Sequence, residues 1–141
     1  MPTLSNPTLD IDILTGTTNY LVTAKVRVDF TSRELSRINP PSGEPGISVQ
    51  LRSQLWGSDR GEPTLGDNDQ LLTFPTRNIT RSQTYIFSRV VSGTVLNEDI
   101  GRLPERDEIY NTFRLVSAAP ELISNRLRNS PIIRGYYGPF E

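Results

Sequence analysis

Residues 22 to 30, VTAKVRVDF, alternate apolar and polar side chains at every position. The apolar members are Val22, Ala24, Val26, Val28 and Phe30. Successive side chains of a β-strand point to opposite faces of a sheet, so this period of two predicts a strand with one face in the core and the other in water. It is the strongest secondary-structure signal in the chain.

Shorter runs repeat the pattern. Residues 9 to 13 alternate through Leu9, Ile11 and Ile13 and precede the turn-like stretch TGTTN, so the first two strands either form a hairpin or face each other across two sheets. Further strands are predicted at 47–56, 71–74, 84–91, 94–96, 108–116 and 131–137.

Clusters of Gly, Pro, Asn, Asp and Ser separate these runs, which is typical of an all-β fold with antiparallel pairing. We therefore predict one domain spanning residues 1–141. Its expected fold is a single-domain antiparallel β-sandwich, immunoglobulin-like or C2-like, of about seven or eight strands. A chain of 141 residues with 35% hydrophobic content can bury a sufficient core without disulfides or metals.

At most one or two short helical turns are expected. TSREL at 31–35 has the Thr-x-x-Glu spacing of a capping box, inside a Pro- and Gly-rich loop at 31–46 that is predicted to connect strands of different sheets. Residues 118–129 could form either a short helix or an irregular crossover.

The composition excludes several functions. The chain has no Cys and no His, which removes disulfides, thiolate nucleophiles, ordinary zinc sites and His-dependent catalysis. Its net charge of -1 gives no electrostatic reason to expect a nucleic acid or a membrane as a partner. No apolar stretch is long enough to span a bilayer and no secretion signal is visible, so a soluble, cytoplasmic protein is expected.

Two acidic loops, 57–69 and 97–108, share an acid two residues before a glycine and a second acid before the next apolar run. Their acids include Asp59, Asp67, Asp69, Asp99 and Asp107. Carboxylates gathered at one end of a sandwich could bind calcium, and in this respect the loops resemble those of C2-type sandwiches. The alternative is structural: the acids accept backbone N–H bonds, neighbouring arginines neutralise them, and no metal is bound. We favour this second interpretation.

Two apolar features are candidates for protein interaction. Trp56 falls on the polar side of its predicted strand, so it either anchors an interface or returns to the core through a bulge near Ser53. The segment PIIRGYYGPFE concentrates apolar residues near the chain end and should dock on its own sandwich or on a partner. Its candidate residues are Ile132, Ile133, Tyr136, Tyr137 and Phe140.

We therefore predict a non-enzymatic β-sandwich that acts as an interaction or assembly module, with a protein partner or as a homo-oligomer. No catalytic residue, cofactor or metal is assigned. The alternative is a calcium- or carbohydrate-binding sandwich that uses the two acidic loops. A carboxylate-dependent glycoside hydrolase is a third hypothesis, which needs two carboxylates at a defined separation.

Overall fold

Two antiparallel sheets face each other in this protein. The computed structural model describes residues 2–58, 68–96, 107–119, 126–131 and 133–135. Its strands are β1 Thr3–Ile13, β2 Asn19–Asp29, β3 Val49–Ser58, β4 Asn68–Thr73, β5 Arg77–Asn78, β6 Gln83–Ser92, β7 Asp107–Ser117, β8 Arg126–Asn129 and β9 Ile133–Gly135. Its helices are α1 Ser32–Ile38 and the single turn α2 Gly93–Leu96.

The smaller sheet has the order β1-β2-β6, and the larger has the order β4-β3-β7-β8. The short strand β5 pairs with Gln50 and Leu51 of β3, on the same edge of β3 as β4. Strand β9 pairs with residues 107–109 of β7, on the same edge of β7 as β8. All of these pairs are antiparallel. The predicted antiparallel β-sandwich is confirmed.

Strand β2 forms the centre of the smaller sheet because its alternation supplies a continuous apolar face. Val22, Ala24, Val26 and Val28 are all 0% exposed, whereas the residues between them are half-buried. Ten residues of β2 pair with β6 without a break in register, from Asn19↔Ser92 to Val28↔Gln83. The predicted buried face is confirmed, although the strand begins at Asn19, three residues before the predicted run, and ends at Asp29, one residue before Phe30.

The first two strands form a hairpin, which resolves the alternative left open by the sequence. Strand β1 begins at Thr3, earlier than predicted, and its pairing with β2 shifts between Ser5 and Thr8. Asn6, inside this bulge, has a φ of 50°, a left-handed conformation that Asn tolerates better than most residues. Ile13 ends the strand and is 61% exposed, so the alternation of β1 does not extend the core to its last residue.

The other predictions have mixed outcomes. The runs at 47–56, 71–74, 84–91 and 108–116 are confirmed as β3, β4, β6 and β7, and within the run at 131–137 the described strand is β9, Ile133–Gly135. The strand predicted at 94–96 is wrong, because Gly93–Leu96 is a helical turn. Residues 126–129 are a strand paired with β7, although only a helix or an irregular crossover was expected there. Strand β5 was not predicted, since two residues carry no readable period.

Loop 31–46 connects β2 in one sheet with β3 in the other, as predicted, and it contains α1. Thr31 begins this helix with a complete capping box: the Thr31 hydroxyl accepts from the Glu34 amide at 3.2 Å, and the Glu34 carboxylate accepts from the Thr31 amide at 2.8 Å. After the helix, the Ile47 amide donates to the Arg37 carbonyl at 3.0 Å. This bond holds the backbone that leads into β3 against the end of α1.

The core between the sheets is aromatic at its centre. Phe87 of β6 lies between Phe74 and Phe113, with ring centroids 5.8 and 6.4 Å away. Nearby, Tyr85 donates its hydroxyl to the Arg81 carbonyl at 2.6 Å, four residues upstream. This arrangement is like the tyrosine corner of immunoglobulin-type sandwiches. In the described ranges no helix is long and apolar enough to cross a membrane.

Candidate interaction surface

The outer face of β3 and β7 points away from the smaller sheet. It carries an aromatic residue and two arginines of the kinds that are common in protein interfaces. The two strands pair without a break from Val49↔Ser117 to Ser58↔Glu108. Odd-numbered residues of both strands point into the core, so even-numbered residues form the outer face. In this register Trp56 lies directly opposite Tyr110, and Arg52 lies directly opposite Arg114.

Trp56 lies on the outer face and is half-buried. Its indole Nε1 donates to the Thr112 hydroxyl at 3.0 Å, so the ring has a fixed orientation across the two strands. The bulge that could have returned it to the core is not observed near Ser53. A register shift does occur between Leu55 and Trp56, but only in the pairing with β4, and the pairing with β7 remains regular.

Tyr110 is buried, at 7% exposure, although its position is on the outer face. It is therefore Trp56 rather than Tyr110 that offers accessible aromatic surface on this pair of strands. A directly opposed aromatic pair stabilises the pairing of two strands.

Arg52 and Arg114 are exposed and face each other across the β3–β7 pair. Like charges directly opposite each other in a sheet are destabilising, so this pair costs free energy in the isolated chain. Neither arginine has an ion pair with a described residue. Arg52 is four residues from Trp56, so their Cα atoms lie about 13 Å apart along the strand. The indole leans from Trp56 toward the arginines, because it binds Thr112, which is opposite Gln54.

The inner side of the same strands is held by a buried polar cluster. The Asn111 Nδ2 donates to the Ser53 hydroxyl at 2.8 Å, and both residues are 0% exposed. The Asn111 backbone exchanges two hydrogen bonds with Ser130: its amide donates to the Ser130 hydroxyl and its carbonyl accepts from the Ser130 amide, each at 2.8 Å. Ser53 interrupts the apolar side of β3 because it binds Asn111, which ties β3 to β7 in one register.

The acidic loops largely lie outside the described residues, which include neither Asp59, Asp67 nor Asp99. The backbones of Asp69 and Asp107 are placed in β4 and β7, opposite Gly57 and Gly135. Because Ser58 pairs with both Asn68 and Glu108, the strand ends that flank the two loops meet at one end of the larger sheet. Within the described ranges no group of three or more acids is close enough to hold a metal ion.

The C-terminal segment is described in part. Ile133 belongs to β9, which pairs with β7 of its own chain, as the docked alternative requires. Ile132, Tyr136, Tyr137 and Phe140 lie outside the described residues.

Sequence reasoning identified Trp56 but missed Arg52 and Arg114. Each arginine could be assigned to the polar side of its strand from the alternation alone. Their juxtaposition depends on the β3–β7 register, which is set by contacts between residues more than fifty positions apart. Ser53 and Asn111 are the polar residues on the apolar sides of the two strands, but they are diagonal neighbours, so matching them in the sequence would have given a register shifted by two residues.

No protein-family model matches this chain, and no curated protein matches it. Similar solved structures include structural genomics target SoR45, at 14% identity and a TM-score of 0.37, covering 94% of this chain and 84% of that one. Target BeR40 from Bordetella pertussis matches at 11% identity and a TM-score of 0.38, over 100% of this chain and 96% of that one. Beta-glucosidase 3B from Thermotoga neapolitana, in complex with glycerol, matches at 10% identity and a TM-score of 0.40, over 99% of this chain but 17% of the glucosidase.

Proposed function

We propose that this protein is a non-enzymatic interaction module that binds a protein partner through the outer face of β3 and β7. The observation that carries the proposal is the half-buried Trp56, oriented by Thr112, on the same face as the opposed pair Arg52 and Arg114. Trp and Arg are the residue types most enriched at the energetic centres of protein interfaces. The proposal includes no catalytic activity or cofactor and no nucleic acid or membrane as a partner, and it places the protein in the cytoplasm.

The charges define the chemistry of the partner. An acidic side chain seated between Arg52 and Arg114 would convert a repulsive pair into two charge-assisted hydrogen-bonding contacts. A guanidinium binds a carboxylate in a bidentate manner, which favours Asp or Glu of the partner over a neutral group. We therefore propose a partner surface that combines one or two carboxylates with a neighbouring apolar patch that receives the indole of Trp56.

The test is recovery of proteins with the tagged chain from its source cells, for the parent and for Trp56→Ser. The matched control is Ile13→Ser, which removes an apolar side chain that is 61% exposed on the other sheet. We expect a protein recovered in stoichiometric amount with the parent and with Ile13→Ser, and at least tenfold less with Trp56→Ser, because loss of an interface anchor costs about 2 kcal/mol or more. Recovery of no protein, or equal recovery with Trp56→Ser, contradicts the proposal.

A second candidate function uses the acidic loops. The observation that favours it is the meeting of their flanking strand ends, at Ser58, Asn68 and Glu108, at one end of the larger sheet. A calcium ion bound there would raise the melting temperature, since a ligand at about 100 times its dissociation constant adds about 2.7 kcal/mol to the stability. An unchanged melting temperature in millimolar calcium and then in EDTA removes calcium binding from consideration.

A further inference from the structure

Strand β6 ends the smaller sheet, so one edge of it is unpaired among the described strands. It runs for ten residues, QTYIFSRVVS, without a proline, and its pairing with β2 has no bulge. Arg89 is its single charged residue. A long edge with one charged residue, no proline and no bulge is a template for the addition of another strand.

The opposite edge of the same sheet is protected. Strand β1 has a register shift between Ser5 and Thr8, with Pro7 inside it, and carries the exposed acids Asp10 and Asp12. A bulge, a proline and charges are the devices by which proteins prevent edge-to-edge pairing. The smaller sheet thus has one blocked edge, β1, and one edge, β6, with which no described strand other than β2 pairs. We call this second edge the open edge.

The open edge also exposes apolar side chains. Ile86 and Val90 lie on the outer face of β6 and are 44% and 51% exposed. Leu21, half-buried on β2, is the register partner of Val90, so the apolar surface continues onto the neighbouring strand.

The position of these two residues makes β6 complementary to itself. Ile86 and Val90 are equally distant from Ser88, one on each side. When two antiparallel copies of β6 pair with Ser88 opposite Ser88, Ile86 of each copy lies directly opposite Val90 of the other. Directly opposed β-branched residues on one face are a favourable cross-strand pair. Pairing about a two-fold axis between the two Ser88 residues therefore places Ile86 and Val90 of each copy in contact with the other copy.

We propose that two copies of this chain associate through β6, antiparallel and with Ser88 on the two-fold axis. The partner is a second copy, and the product is a continuous six-stranded sheet, β1-β2-β6 followed by its symmetry mate. The interface is isologous, so it closes after two copies and does not lead to fibres. This inference goes beyond the proposed function, because it assigns a second surface on the other sheet.

The first test is the mass of the purified chain in solution, measured by light scattering. We expect twice the chain mass of 15.8 kDa for the parent. Ile86→Lys should halve that mass, because an edge lysine blocks strand addition. Ile13→Lys is the matched control, since it changes an exposed isoleucine of the same sheet far from the β6 edge, and it should keep the mass of the parent. If Ile86→Lys does not fold, Val90→Lys serves the same purpose.

The second test reads the register directly. The chain has no cysteine, so Ser88→Cys carries a single thiol. Opposed residues of an antiparallel pair have Cα atoms about 4.5 to 5.5 Å apart, which is within reach of a disulfide. Thr84→Cys is the control: it is exposed on the same face, but in this register its two copies lie about 26 Å apart. We expect mild oxidation to crosslink Ser88→Cys at least tenfold faster than Thr84→Cys.

Three results would overturn the inference: a parent of monomer mass, a mass that Ile86→Lys leaves unchanged, or equal crosslinking of the two cysteine variants. A dimer that Trp56→Ser dissociates and Ile86→Lys does not would also overturn it, and that result would place the second copy on the outer face of β3 and β7. Failure of the proposed function is a separate result, because it is measured by the recovery of a foreign protein with Trp56→Ser.

Discussion

At the scale of single residues, the backbone around Gly46 leaves no room for a side chain. A Cβ placed there would lie 1.7 Å from the Ile38 carbonyl oxygen and 2.6 Å from its carbonyl carbon. Both atoms belong to the backbone at the end of α1, so neither can rotate away. We predict that Gly46→Ala lowers the free energy of unfolding by about 3 kcal/mol or more, measured by urea denaturation.

Gly16 provides the control for this substitution. It has a φ of 79°, and no atom lies within 4 Å of the position that a Cβ would take. Gly16→Ala should therefore cost only the strain of a left-handed backbone, about 1 to 2 kcal/mol. If Gly46→Ala is no more destabilising than Gly16→Ala, the close approach of Gly46 to Ile38 is wrong.

Tyr85 gives the stability a predicted dependence on alkaline pH. Burial raises the pKa of its hydroxyl above its usual value of 10.0, although the positive charges of Arg81, Arg27 and Arg77 act in the opposite direction. The folded chain thus keeps this proton at a pH where the unfolded chain releases it. The resulting stability is fully present below about pH 10 and is lost as the pH rises through the folded pKa.

We predict that Tyr85→Phe costs about 1 kcal/mol at neutral pH, because the hydrogen bond to Arg81 is lost. Between about pH 9 and about pH 11, its melting temperature should fall less than that of the parent. Parallel declines of the two melting temperatures would show that Tyr85 does not contribute to the alkaline loss of stability.

At the scale of secondary-structure elements, the strands with a clear period of two were predictable and the others were not. The alternation of β2 and β3 predicted their buried faces, whereas the bounds of both strands differ from the predicted ones by one to three residues. Gly93–Leu96 forms a helical turn despite two β-branched residues, because tertiary contacts outweigh propensity in so short a segment. Strand β8, with the sequence RLRN, contains one apolar residue, Leu127, which is 55% exposed, so no apolar alternation could have identified it.

The buried face of β2 gives the sharpest prediction for an element. Val26 is 0% exposed at the centre of the strand, so Val26→Asp should prevent folding, since the cost of a buried carboxylate exceeds the stability of a typical domain. Lys25→Asp changes the neighbouring residue on the outer face and should fold. Circular dichroism of the two variants checks this, and a folded Val26→Asp variant would contradict the register of β2.

The opposed arginines of β3 and β7 allow stability and binding to be separated. Arg52→Glu replaces a like-charged pair with an opposite-charged one, so we predict that it stabilises the isolated chain by about 0.2 to 1 kcal/mol. The same substitution should weaken binding of an acidic partner. A variant that loses stability in a urea titration would contradict the direct opposition of Arg52 and Arg114.

At the scale of the whole molecule, the sequence predicted the sandwich but not how its surfaces are distributed. Alternation identifies which residues of a strand are polar, but the strand order and register decide which polar residues become neighbours. The candidate interaction surface joins β3 to β7 and the open edge belongs to β6, strands far apart in the sequence. Trp56 could be singled out from the sequence, whereas Arg52 and Arg114 became a pair only through long-range pairing.

The most direct test of the proposed function is the ¹⁹F NMR spectrum of the chain labelled with 5-fluorotryptophan. Because the chain has one Trp, the label gives a single resonance, from Trp56, and unlabelled proteins contribute none. We predict that the protein recovered with the parent chain shifts or broadens this resonance, and that Arg52→Glu reduces the effect. A resonance that stays unchanged while the recovered protein binds would contradict the placement of Trp56 in the interface.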